Sequence, residues 1–451
     1  MENHLKDGLY PFSMRDTLKG KRLFSLPRFW IAFGLKGMTY LRNMDNAQPS
    51  LTSLKLFNFF IYGTMVIFTG FFQLYLQDIG MSKIEIGSLM AIAPFVSIFA
   101  NPFWGFWGDR AANIKRVLLI MMTGTLLLVQ FVFQANTYAM IYMTMIFFYF
   151  FQTPMFSQTN SLILTYIEGT QQKFGSFRLW GSLGWALTAI AAGPVIDRLG
   201  SGRISIVFSI MLLVAALFMF TLPSIQKTTA SASVNLKGLS RLFLNSYFVW
   251  FILLGIMVSI PNTANNTFMS LYILELGGTK QMVGLAIFFS SIFEVVIFIL
   301  FDRFLKRKIN VLVGCLTIVS LLFALRWLLM AEANSALEVA FIQLLHCVTF
   351  GGYFYVGVQL TMLFVPTPYR ASGQAIYTLS WSGISGVIGG LAGGWMFQNF
   401  GAQIMYWTGT MLAIVGAIGF GWMWYNLRKH GYQPLHPDDP EGDEIEEYAA
   451  S

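Results

Sequence analysis

LYLQDIG at residues 74–80 returns as LYILELG at residues 271–277. Each copy ends a long apolar stretch with an acid two residues before a glycine, so the second is a duplicate of the first and not a chance composition match. Further pairs extend it. Asp109-Arg110 is followed by Asp302-Arg303, and Trp180 and Gly200 recur as Trp381 and Gly401, each shifted by 201. The chain is therefore a unit repeated, with the join between residues 223 and 246, a Ser, Thr and Lys-rich stretch.

The composition says where such a unit sits. Of 451 residues 56% are hydrophobic and 11% charged, with a mean hydropathy of +0.61. Soluble domains carry about 25% charged residues, and 44 Phe, 24 Met and 12 Trp exceed what a water-soluble core hides. The chain belongs in a bilayer. Crossing about 30 Å of hydrocarbon takes about 20 apolar residues in a helix. Twelve stretches qualify: α1 (54–77), α2 (84–107), α3 (115–134), α4 (138–165), α5 (176–196), α6 (204–222), α7 (247–273), α8 (281–301), α9 (310–331), α10 (337–364), α11 (373–397) and α12 (403–425). The expected fold is an all-α membrane protein of twelve transmembrane helices in two pseudo-symmetric six-helix bundles, 51–222 and 247–427. A basic extension (1–50), a linker (223–246) and an acidic tail (428–451) complete the chain.

Charge sets the topology. Loops after even-numbered helices and the C-terminal flank hold fifteen Lys and Arg against four after odd-numbered helices, so both termini are expected in the cytoplasm of a cell-membrane protein. The net charge of +8 thus reflects short loops, not a nucleic-acid surface. Residues 1–43 suit a basic interfacial helix, an unstructured tail, or a start upstream of a true beginning at Met44, and contain no convincing signal peptide. Cys315 and Cys347 lie inside apolar spans and give no disulfide framework.

An ionisable group within a span is a functional candidate, because charge in hydrocarbon is costly. Glu294 (α8), Arg326 (α9) and His346 (α10) fall near one depth on successive helices, which suits a cluster that takes up and releases a proton. The plainer alternative is a permanent ion pair tying those helices together. The first half offers the uncharged Asn160, Glu168 and Asp109 at helix ends, and Arg178 opening α5. Sodium binding wants an oxygen cage including a carboxylate, and α1–α6 carry none at mid-depth, so protons are the favoured coupling ion and neither metal nor cofactor is expected. Gly181, Gly184, Gly386, Gly390 and Gly394 offer small faces for close helix approach, and Pro94, Pro102, Pro154, Pro194 and Pro261 offer bends. Gly383-Ile384-Ser385-Gly386 has the form of an intramembrane serine protease motif, for which His346 is the intramembrane base available.

Gly105, Asp109 and Arg110 followed by Lys115 and Arg116 resemble the loop signature of the major facilitator superfamily, which implies a gating role for Asp109 and Arg110. FGSFRLWGSLGWAL at 174–187, SALEV at 335–339 and Leu345-His346 resemble the lactose permease-like members, with Arg178 and Trp185 matching their sugar-contacting Arg and Trp. Asn160 and Thr349 stand where those members have acids. Glu294, Arg326-Trp327, Leu345-His346, Thr349-Phe350-Gly351, and Gln374 with Tyr377 are similar to the phenylpropionate permease-like branch, over residues 51–427. The resemblance implies a secondary active transporter, not an enzyme, that carries a small ring-containing solute with a proton by alternating access. A sugar or oligosaccharide is the favoured cargo. Asn160, Arg178, Trp185, His346 and Gln374 are the expected substrate contacts, and Glu294, Arg326 and His346 the coupling groups. Uptake of an aromatic acid or a nucleoside, efflux or facilitated diffusion, and remotely a protease, are the alternatives. The expected partners are the solute, the proton and lipid, with no nucleic acid, and the chain is expected to act as a monomer.

Overall fold

Backbone N–H and C=O groups find no water inside hydrocarbon, so a chain this apolar closes its hydrogen bonds within helices. The computed structural model describes residues 51–111, 113–168, 170, 172, 174–223, 243–366 and 369–432, and among them there are helices and turns but no strand. The N-terminal extension, most of the linker, the end of the acidic tail and the side chain of Asp109 lie outside the described residues.

Unbroken helices form α1 (Thr52–Asp78), α3 (Ile114–Gln134), α5 (Phe174–Leu199), α6 (Ile204–Thr221), α7 (Ser246–Glu275) and α9 (Ile309–Ala331). Four more are interrupted: α2 (Lys83–Met90, Ile92–Arg110), α4 (Tyr138–Gln152, Met155–Ile167), α8 (Lys280–Ser291, Glu294–Phe304) and α10 (Ala336–Ile342, Leu344–Phe364). The remaining apolar run, Ser372–His430, has 59 residues, far more than the ~20 that one crossing needs. It divides at Gly401, whose φ of 84° and ψ of 168° no helix accommodates, into α11 (370–400) and α12 (402–430). Among the described residues this gives twelve helices long enough to cross, close to the expected limits.

The interruptions have local causes. Pro94 has no N–H for the Met90 carbonyl, and α2 breaks there. Pro154 frees the Phe150 carbonyl, which accepts instead from Trp104 Nε1 at 2.9 Å. At the α8 break the carbonyls of Phe289 and Ser290 face the Cys347 thiol at 3.5 and 3.4 Å. In α10 the Gln343 side chain donates to Val339 O at 3.1 Å. A π-helical turn, Leu379–Ile384, carries Trp381 into the middle of α11.

The duplication is written into the turns. Gly80 and Gly277 take φ of 89° and 76°, a left-handed conformation that side chains with a Cβ resist. Each closes its helix with the same pair of bonds: Met81 N to Leu76 O and Gly80 N to Gln77 O, then Gly278 N to Ile273 O and Gly277 N to Leu274 O. Ser82 and Thr279 then cap the following helices, accepting from Glu85 N and Met282 N.

Each half packs around its own aromatic centre, Phe68 with Phe148 and Phe208 in the first, Trp327 with Phe323 and Tyr406 in the second. The halves meet mainly at the end bearing these paired hairpins. There a Cβ on Gly87 would lie 2.3 Å from Gly390 O, and one on Gly284 2.4 Å from Ala189 O, so α2 meets α11 and α8 meets α5 backbone to backbone. Two ion pairs cross the same seam: Lys83 to Glu275 at 2.5 Å and Lys280 to Asp78 at 3.3 Å. At the opposite end, Met155–Ile167, Glu294–Phe304 and Arg370–Thr378 pack chiefly within their own halves. The space between the halves is sealed at the hairpin end and opens at the other.

Candidate functional site

That space is a cavity of about 420 Å³ between the bundles. Of the residues expected from the sequence, Arg178 and Trp185 from α5, Glu294 from α8, Arg326 from α9 and His346 from α10 all line it. Asn160 and Gln374 do not. Asn160 has a buried Oδ1 without a partner among the described residues, and Gln374 Nε2 donates to Val358 O of α10 at 2.9 Å. Arg110 lies at the open end with its guanidinium 4.0 Å from the Phe106 ring centre. In the second copy of that motif, hydrogen bonding to the Tyr355 phenol and to Asp302 lifts Arg307 above its ordinary pKa.

Arg326 is fully buried, and a guanidinium in such a place must find acceptors. Its Nη2 donates to Gln343 Oε1 at 2.5 Å, and its Nη1 to His346 Nδ1 at 3.0 Å and Asn262 Oδ1 at 3.5 Å. A guanidinium has no lone pair to offer, so Nδ1 is the acceptor and the imidazole is neutral with its proton on Nε2. Gln343 Oε1 also accepts from Asn265 Nδ2 at 3.4 Å, and Asn265 Oδ1 accepts from Tyr406 at 3.1 Å. The interruption of α10 is what sets Gln343 at the hub, and stacking on Phe350, centroids 4.9 Å apart, fixes the His346 ring.

Glu294 begins the second segment of α8, where a helix N-terminus favours negative charge. Its carboxylate makes no hydrogen bond or ion pair among the described residues. Arg326, the counter-charge expected for it, is committed to the amides and His346. Arg178, from the other half, lines the same cavity as Glu294. Arg178 sits 4.7 Å from the Tyr62 ring centre and 5.5 Å from that of Phe156, and donates to Ser182 Oγ at 3.4 Å. The site thus presents a carboxyl and a guanidinium from opposite bundles, neither in an ion pair among the described residues, beside the Trp185 ring.

Ser385 is occupied elsewhere: it shares a hydrogen bond with Ser259 of α7 and donates to Ser380 O at 2.8 Å. His346, its supposed base, is tied to Arg326, so the protease reading has no dyad. Tyr62, Gln73, Asn266 and Gln343 are among the lining or network residues that the sequence does not mark. The paired amides at Asn265-Asn266 in mid-α7 and the lone Gln73 in α1 were the available signals.

Residues 51–408 match the MFS_1 like family. The chain is 27% identical over 377 residues to the maltose permease of Geobacillus stearothermophilus, covering 82% of this chain and 94% of that one. It is 24% identical over 363 residues to the probable 3-phenylpropionic acid transporter of Escherichia coli (strain K12), with 79% and 92% covered. The solved structure of the nucleoside transporter NupG superposes with a TM-score of 0.68 at 18% identity, covering 83% of this chain and 98% of that chain. Family and relatives are transporters, not enzymes, and a small molecule is the substrate class that follows. With long apolar helices throughout its described residues and a match spanning most of its length, this multi-pass membrane protein belongs to the MFS_1 like family of the major facilitator superfamily.

Proposed function

We propose that the chain is a proton-coupled symporter that carries a small ring-containing solute, a sugar or oligosaccharide, by alternating access. One observation carries the reading: an unpaired carboxylate, Glu294, faces a shared cavity with Arg178 and Trp185 of the other bundle and the Arg326–His346 pair of its own. An acid that no internal partner satisfies is suited to carrying a proton, and a nearby cation lets it release that proton once the solute has moved. Trp185 supplies a stacking face for a ring. The positive-inside count supports a sealed hairpin end outside and an open end in the cytoplasm, in a cell membrane with both termini inside; the chain acts as a monomer in this reading.

Proteoliposomes given an inward-directed proton gradient should accumulate the solute. Glu294→Gln should abolish accumulation while leaving solute counterflow within a few-fold of the unaltered protein; undiminished accumulation in that variant removes Glu294 from the proton path. A second reading draws on Arg178, whose guanidinium holds no acid of its own: an anionic aromatic acid would pair with it. Stabilisation by 3-phenylpropionate and not by sugars in a thermal-shift series would favour that cargo.

A further inference from the structure

We propose that the sealed end of the cavity holds a second, uncharged subsite, built by Gln73 on α1 and Asn266 and Ser270 on α7, that takes the far ring of a neutral disaccharide. The inference rests on the sugar reading above and narrows it.

Gln73 is fully buried and lines the cavity. Its Nε2 donates to Thr69 O at 2.7 Å and across the seam to Asn266 O at 3.4 Å, while its Oε1 is buried with no donor among the described residues. Buried polar atoms are nearly always satisfied, and one left open on a cavity wall is placed for a donor that arrives from outside. Asn266 is exposed on the same wall, and its carboxamide makes no hydrogen bond among the described residues; nor does the Ser270 hydroxyl, which also lines the cavity. Carboxamides and hydroxyls both donate and accept, as the hydroxyls of a sugar do, and none of the three residues carries a charge.

Arg178 and Glu294 are at the other end; Arg326, near the α7 amides, is fully buried and already bonded to Gln343 and His346. Tyr62, against which Arg178 stacks, precedes Gln73 on α1 by eleven residues, a distance of about 16 Å at ~1.5 Å per residue. Val66 and Gly70 lie between them on the same helix face and also line the cavity. At Gly70 the Ile287 side chain of α8 packs directly on α1, a Cβ there lying 2.5 Å from the Ile287 Cδ1 atom. The cavity is thus drawn out over a length greater than one pyranose ring, from a pole bearing Arg178 and aromatic rings to a pole whose open hydrogen-bonding groups are amides and a hydroxyl. A solute with two linked rings fills both, and its far ring bridges α1 and α7, one helix from each half.

Calorimetric titration of the purified full-length protein with maltose and with glucose tests this. Maltose should bind the unaltered protein more tightly than glucose. Gln73→Ala and Asn266→Ala should each cut that preference by about 3- to 10-fold, the size of one or two neutral hydrogen bonds. Asn266 makes no internal side-chain bond, so Asn266→Ala should keep the ligand-free melting temperature and remains informative if Gln73→Ala misfolds. A preference unchanged in Asn266→Ala, equal losses for both sugars, or no preference in the unaltered protein overturns the subsite while leaving sugar transport intact. Binding of neither sugar overturns the sugar reading and this inference with it.

Discussion

Arg326 shows how a single buried charge organises its surroundings. Each bond it makes goes to a side chain that is neutral, so its charge is dispersed over amides and an imidazole and is not cancelled by a carboxylate. Hydrogen bonds to charged groups contribute about 1.5–3 kcal/mol, and Gln343 makes the shortest of these at 2.5 Å. Gln343→Leu is therefore expected to lower unfolding stability in detergent by about 1.5–3 kcal/mol, whereas Gln343→Glu, which keeps an acceptor for the guanidinium, should lose clearly less. Equal melting temperatures for the Leu variant and the unaltered protein would show that Arg326 does not depend on this bond. At this scale the sequence was partly legible. Glu294, Arg326, His346 and Arg178 announced themselves because charge is rare in apolar spans. Gln73, Asn266 and Gln343 did not, because neutral amides are common in such spans and their meaning depends on which helix of the other half they face. Asn160 and Gln374, singled out through resemblance, lie away from the cavity, since position along a helix does not settle which face a residue occupies.

The helices themselves were legible from hydropathy, because twenty apolar residues have few other fates. Their interruptions were less so. Pro94 and Pro154 mark the breaks of α2 and α4, but those of α8 and α10 have no proline and arise where Cys347 and Gln343 offer side-chain bonds to freed carbonyls. The glycines of α11 acquire their meaning only against α2: Gly390 and Gly394 face Gly87 and the Lys83 carbonyl, leaving no room for a methyl group. Gly87→Ala should therefore wedge these two helices apart. Overpacking of this kind costs about 1–3 kcal/mol, enough to move a two-state equilibrium by roughly tenfold toward the conformation open at the hairpin end. Gln398, whose Oε1 accepts from Ile84 N at 3.0 Å across the closed seam, is the reporter. In a background lacking Cys315 and Cys347, thiol labelling of Gln398→Cys should be faster with Gly87→Ala than without it. Unchanged labelling would mean that the two helices separate without regard to their glycine contact.

For the molecule as a whole, the duplication does more than set the fold. Asp78 and Glu275 hold the same place in the two echoes, and Lys83 and Lys280 each lie five residues further on. Within a half, acid and lysine belong to successive helices; in the closed seam each lysine reaches the acid of the opposite half, Lys83 to Glu275 and Lys280 to Asp78. The pairs are related by the same pseudo-symmetry as the bundles, so they form and break together when one bundle rocks against the other. Both acids are nearly half exposed, 45% for Glu275 and 46% for Asp78, and exposed pairs contribute only about 0–1 kcal/mol each. A fastening this weak holds one state without trapping it, as a cycle that must reopen requires. Lys83→Glu puts two acids face to face and should open the hairpin end several-fold, read as a longer distance between spin labels placed on the α1–α2 and α7–α8 turns. Adding Glu275→Lys reverses the pair and should restore the original distance. Raising the salt from 0.1 to 1 M, which shortens the screening length from about 10 to about 3 Å, should shrink the effect of Lys83→Glu. Failure of the reversed pair to restore closure would mean that the glycine seam alone holds this end shut.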